Sequence, residues 1–194
     1  MDRLTTKDLL SLEEYDKQRD NIKRDLLSHK KNRSVLIGEN IVLLFEDKLT
    51  IKYQVQEMLR IEKIFNQKEI KEEIDAYTSL IPDGDNLKAT MLIMYPDIDE
   101  RKMMLNKLHD LENQIWLSIN GSKRIFAISD EDLERTRDEK TSAVHFLRFQ
   151  LTQDDIKSFK TSENIEFGVD HDNYNQMVKI SKDTALALSN DLDD

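Results

Sequence analysis

TSAVHFLRFQL, residues Thr141–Leu151, is the run whose placement decides the fold. Successive side chains of a strand point to opposite faces. Ala143, His145, Leu147, Phe149 and Leu151 therefore share one face, and Val144, Phe146, Arg148 and Gln150 the other. Apolar groups on both faces place this strand inside a sheet and not at its edge.

Working outward, Ile115–Ile119 and Lys123–Ile128 flank Asn120-Gly121, the strongest short hairpin signal in the chain. Val35–Ile37 and Ile41–Phe45 flank Gly38-Glu39-Asn40 and read as a second hairpin. Lys88–Tyr95 reads as a strand stopped by Pro96, and Asn164–Asp170 as one more. The charged segment Ser129–Lys140, SDEDLERTRDEK, reads as a solvated helix leading into the central strand.

Helical spacing fills the intervals. Ser11-Leu12-Glu13-Glu14 is a capping box opening a helix to about Lys31. Further helices are expected over Lys48–Phe65 and Lys68–Leu80, after Asp97, after Thr152 and over Ser181–Leu192. Strands and helices alternate irregularly and hairpins dominate the connections. The expectation is an α+β fold: a mostly antiparallel sheet built from hairpins and packed with several helices. A single domain spanning residues 1–194 is expected, in which a helical N-terminal half (residues 1–86) and a sheet-rich half (residues 87–194) are not independent.

Composition narrows the function classes. A chain of 194 residues with 38% hydrophobic content can bury a real core, and 35% charged residues imply well-solvated helix faces. A net charge of −10 repels phosphate backbones, so no nucleic-acid partner is expected, even for the basic run His29-Lys30-Lys31-Asn32-Arg33. The absence of cysteine excludes disulfides, thiolate metal sites and a Cys nucleophile. No apolar run reaches the length of a membrane span and the N-terminus lacks a signal region, so no membrane partner and a cytoplasmic location are expected. There is no phosphate-binding glycine loop, no GxSxG elbow and no paired ExxH ligands, so no cofactor, iron or flavin is expected.

Two charges interrupt apolar stripes. In FEDKLTIKYQVQEMLRIEKIF, Phe45–Phe65, a helical projection puts Glu62 in line with Val55, among Ile51, Met58, Leu59 and Phe65. In the first helix Arg19 falls among Tyr15, Ile22 and Leu26. A buried charge is costly unless paired, so Arg19 and Glu62 are expected to be compensated inside the fold. Arg60 can touch Glu57 and Gln56 along the helix and serve as an anion clamp, against the blander reading of an exposed ion pair. His145 on its apolar strand face reads as a buried histidine, either a satisfied core residue or a general base or metal ligand, with His171 as a companion if their strands pair. Asp170-His171-Asp172 is an O,N,O cluster suited to a divalent cation, a spacing common by chance.

Several of these segments carry a resemblance. Leu9–Tyr15 (LLSLEEY), Gln56–Glu62 (QEMLRIE), Met94-Tyr95-Pro96, Lys140–Phe149 (KTSAVHFLRF) and Val169–Tyr174 (VDHDNY) resemble a bacterial family known only as domain of unknown function number thirty-five-zero-one. The resemblance covers most of the chain and implies a single-domain protein without established activity or catalytic residues. Family genes often lie near rubrerythrin-type and iron–sulfur redox proteins, which implies a redox or peroxide-stress setting.

Three functional classes follow. The first is a cofactor-free binding or accessory protein with ligand-binding residues among Arg19, Arg60, Glu62 and Arg148. The second is an enzyme without a familiar motif, pairing His145 with Glu57 or Glu62 for acid–base work. The third is a structural partner subunit. A protein partner, a small-molecule ligand and self-association all stay open.

Overall fold

In a computed structural model, which describes residues 3–132, 135–136 and 140–193, the chain folds as two antiparallel sheets and six helices. Helix α1 (Leu12–Lys30) starts at the capping box, where Ser11 accepts from the Glu14 amide and Glu14 bonds back to Ser11. The hairpin β1 (Ser34–Ile37) and β2 (Ile41–Phe45) turns at Gly38, whose φ of +63° suits glycine. Helices α2 (Lys48–Glu62) and α3 (Gln67–Thr78) follow, then β3 (Asn86–Ile93), which pairs with β2.

After α4 (Ile98–Lys107), strand β4 (Ile115–Ile119) pairs with β5 (Ile125–Phe126) around Asn120-Gly121. Both turn residues sit at positive φ, +54° and +69°, as a hairpin of this type requires. Then come β6 (Ile128–Ser129), β7 (Val144–Gln150), α5 (Gln153–Thr161), the hairpin β8 (Ile165–His171) and β9 (Tyr174–Lys179), and α6 (Lys182–Ser189).

The strand orders are β1-β2-β3-β7-β6 and β5-β4-β8-β9, so the Thr141–Leu151 run does lie inside a sheet. Its odd face is the core face: His145, Leu147 and Phe149 are buried. The two sheets meet through aromatic rings. Phe167 of β8 stands 5.1 Å from Phe45 of β2 and 5.4 Å from Phe149 of β7, between ring centres. Such contacts add to area burial. A second apolar cluster, Ile51, Val55, Leu59, Ile74 and Ile81, joins α2 to α3 and is closed by Leu4.

Several expectations are corrected. The α+β architecture holds, but the strands form two sheets, and β8 pairs with β4 and β9 while β7 pairs with β3 and β6. His145 and His171 therefore belong to different sheets. Helix α2 ends at Glu62, where Lys63 turns left-handed (φ 57°), and Phe65 is exposed. Of the helix expected over Ser129–Lys140, Ser129 belongs to β6, and residues 133–134 and 137–139 lie outside the described residues.

Candidate functional site

Three polar constellations contain the residues singled out from sequence. The first joins α1 to α2. Arg19 donates through Nε to Glu57 Oε1 at 2.7 Å and through its terminal nitrogen to Oε2 at 2.9 Å, a two-point grip. The Tyr15 hydroxyl donates to the same Oε1 at 2.7 Å, and Arg60 reaches Oε2 at 3.3 Å. Arg19, with Tyr15 and Arg60 assisting, holds the Glu57 carboxyl down at about 2. Burial and the neighbouring carboxylate push the Tyr15 hydroxyl well up.

Arg19 is therefore compensated, but by Glu57 and at a partly exposed position, its side chain 28% exposed, and not as a charge buried inside the fold. Glu62 lies exposed on the last turn of α2. The buried polar residues on that helix are Thr50 and Gln56, and Gln56 receives the Leu10 amide and donates to the Leu10 carbonyl. This constellation ties the N-terminal segment and α1 onto α2.

The second surrounds His145, whose side chain is wholly buried. Its Nδ1 lies 2.6 Å from Asp130 Oδ2. Its Nε2 lies 2.8 Å from Thr141 Oγ1, 3.0 Å from the Ser142 carbonyl oxygen and 3.9 Å from Glu112 Oε2. Glu112, also buried, accepts hydrogen bonds from the hydroxyls of Thr136 and Thr141. Asp130 is set by the backbone: its left-handed φ of 48° turns the chain after β6, and its Oδ1 accepts the Phe146 amide at 3.0 Å. Asp tolerates that conformation better than most side chains. The acid–base pairing of His145 with Glu57 or Glu62 is not formed, since its carboxylate neighbours are Asp130 and Glu112.

The third is a cleft of about 530 Å³ over the even face of β7, on the side of that strand away from His145. Arg148 lies there, directly opposite Lys88 in the β3–β7 register. Like charges opposed across a ladder repel, and carboxylates offset this pair. Glu131 takes Arg148 at two points, each 2.7 Å, and Asp83 takes Lys88 at 2.7 Å. Arg148 holds the Glu131 carboxyl below its usual range.

Glu46 forms one section of the wall. It is buried, with one oxygen on the Thr50 hydroxyl at 2.6 Å and the other on the Thr90 hydroxyl at 2.7 Å. Among the described residues no Lys or Arg pairs with it. Charged side chains line the cleft unequally, five carboxylates against two cations.

The turn 130–132 links the last two constellations by giving Asp130 to His145, Glu131 to Arg148 and Asp132 to Arg135. Glu112, Asp130, Thr141, Glu46 and Lys88 were missed from sequence. Asp130 sat in a charged run that reads as solvent-facing, and Glu46 follows the apolar run of β2 without a marker of its own.

Asp170, His171 and Asp172 are not among the described side chains whose donor atoms converge closely enough to hold an ion. Asp170 takes Arg124 and, at 3.5 Å, Asn175. His171 faces the His109 carbonyl at 3.0 Å with one ring nitrogen and receives the Asn173 amide with the other. Among the described residues, Glu112, Asp130 and His145 are the group of His and acidic side chains whose atoms converge closely enough to hold an ion.

The chain belongs to the family described as "Protein of unknown function (DUF3501)", which matches residues 3–192. A solved structure of a novel protein of unknown function from Burkholderia pseudomallei is similar at 44% identity. The similarity covers 99% of this chain and 100% of that one, with a TM-score of 0.93. No curated protein matches. No helix among the described residues is long and apolar enough to cross a membrane.

Proposed function

We propose that this member of the family is a binding protein whose cleft over β3 and β7 takes a small organic cation, an amine-bearing molecule. The observation that carries this reading is Glu46: a buried carboxylate in the cleft wall, held by two threonine hydroxyls and without a cation of its own among the described residues. Burial makes a lone carboxylate costly, and an ammonium at that position offsets the cost. The lining's excess of carboxylates focuses a negative potential on the same space. Its volume, about 530 Å³, falls in the range of small-molecule sites. Phe146, whose ring already carries the Arg135 guanidinium at 4.5 Å, adds apolar surface to the lining.

In this reading Arg148 and Lys88 are wall-builders, held by Glu131 and Asp83, and Arg19 and Arg60 brace the helices. The redox or stress setting implied by the family resemblance, in the cytoplasm expected from the sequence, is the proposed context. Calorimetric titration with putrescine and spermidine, against neutral diols of matched length, tests the ligand class. Binding of the amines that is lost in a folded Glu46→Gln variant supports the reading. Equal binding by that variant, or no preference for amines over diols, overturns it.

A further inference from the structure

We infer that Glu112 and His145, with the Thr141 hydroxyl between them and Asp130 orienting the imidazole, form a divalent-cation site on the side of β7 away from the cleft. This departs from the metal-free expectation drawn from sequence. Three separate elements bring Glu112, Asp130 and His145 together: the short 3-10 turn Leu111–Gln114, the bend after β6, and β7 itself. One ligand atom from each lies within 4.8 Å of the others. Side chains bound to one transition metal at about 2.0–2.2 Å each lie roughly 3–4 Å from one another. His145 Nε2 and Glu112 Oε2, 3.9 Å apart, already meet that spacing.

Asp130 has the place of the carboxylate that orients a metal-binding histidine. It holds Nδ1 at 2.6 Å and so points Nε2 toward Thr141, the Ser142 carbonyl oxygen and Glu112. The Thr141 hydroxyl, 2.9 Å from Glu112 and 2.8 Å from Nε2, lies between the two as a further oxygen donor. Mixed imidazole and carboxylate donors suit manganese, iron(II) or zinc over calcium.

Charge gives the second argument. Glu112 is 3% exposed, and among the described residues its partners apart from the imidazole are neutral hydroxyls. The Arg135 guanidinium serves Asp130 at 3.1 Å, on the far carboxylate oxygen. A divalent ion compensates the remaining buried charge. A depression lined by Leu105, Arg135, Lys140, Thr141, Ser142 and Ala143 borders the cluster at Thr141.

The test follows the ring signals of the four histidines by NMR while metal-stripped protein is titrated with Mn²⁺. The expected result is paramagnetic broadening of His145 before His29, His109 and His171. Broadening that begins at another histidine, or none with Mn²⁺ in excess, overturns the site. A folded Glu112→Gln variant should lose the selective effect, and one that keeps it overturns the proposal. Asp130→Asn should weaken Zn²⁺ binding about 10- to 100-fold, the cost of losing an orienting partner, and unchanged affinity counts against the assignment. If the variants fail to fold, the wild-type titration still decides.

Discussion

Gly168 on β8 lies directly opposite Trp116 on β4, and the indole covers the glycine so closely that a Cβ there would stand 2.2 Å from Trp116 Cζ2. The Arg124 guanidinium lies over the same ring, 4.3 Å from its centre. A bare backbone at 168 is what lets the four-stranded sheet seat its tryptophan.

Gly168→Ala should therefore destabilise the protein by about 1–3 kcal/mol, the usual cost of forcing an extra carbon into a packed site. Trp116 is the single tryptophan of the chain, so its fluorescence reads the displacement directly. An unchanged emission maximum and unfolding midpoint would show that the ring moves freely.

Glu57 should make stability depend on acid. Its carboxyl is lowered from 4.5 to about 2 in the folded protein, chiefly by Arg19. A depressed folded value means stabilisation present above the unfolded value, about 4.5, and lost as pH falls through about 2. Glu57→Gln is expected to cost about 2 kcal/mol at neutral pH, allowing for partial solvent screening. Urea unfolding midpoints of the two proteins should draw together as pH falls from about 4.5 toward 2.

Arg33 is expected to be a structural staple. Almost fully buried, it donates to the carbonyl oxygens of Phe45, Glu46 and Ala187 and pairs with Asp191, tying the start of β1 to α6 and the end of β2. Arg33→Lys cannot reproduce these divergent hydrogen bonds and should cost roughly 3 kcal/mol by chemical denaturation.

Asp191 should impose the opposite pH slope. Burial pushes its carboxyl from 3.8 up to about 6, with Arg33 opposing. A raised folded value means a contribution present in full below pH 3.8 and lost as pH rises through about 6. In Asp191→Asn the slope of stability between about pH 4 and 6 should become less negative than in the wild type.

Much of the fold was legible from local chemistry. The Asn120-Gly121 turn, the capping box at Ser11 and the two-faced apolar run of β7 each fix a segment through neighbours a few residues away. Strand β9 gives little sign of itself because, as an edge strand, it exposes Asn175, Gln176 and Met177 and carries little apolar signal. Glu62 misled because a helical projection assumes that the helix continues, whereas α2 stops there.

The sequence by itself determined the α+β class, most segment positions, the need to compensate Arg19 and the buried site of His145. Those follow from periodicities of two and 3.6, which repeat along the chain. Only the tertiary structure decided which carboxylate meets which cation. Arg19 found Glu57 through the packing of α1 on α2. Asp130 and Glu112 reached His145 from 15 and 33 residues away along the chain. Lys88 faced Arg148 through strand register. A one-residue change in register reverses the face of every side chain, and nothing local in the sequence carries that choice.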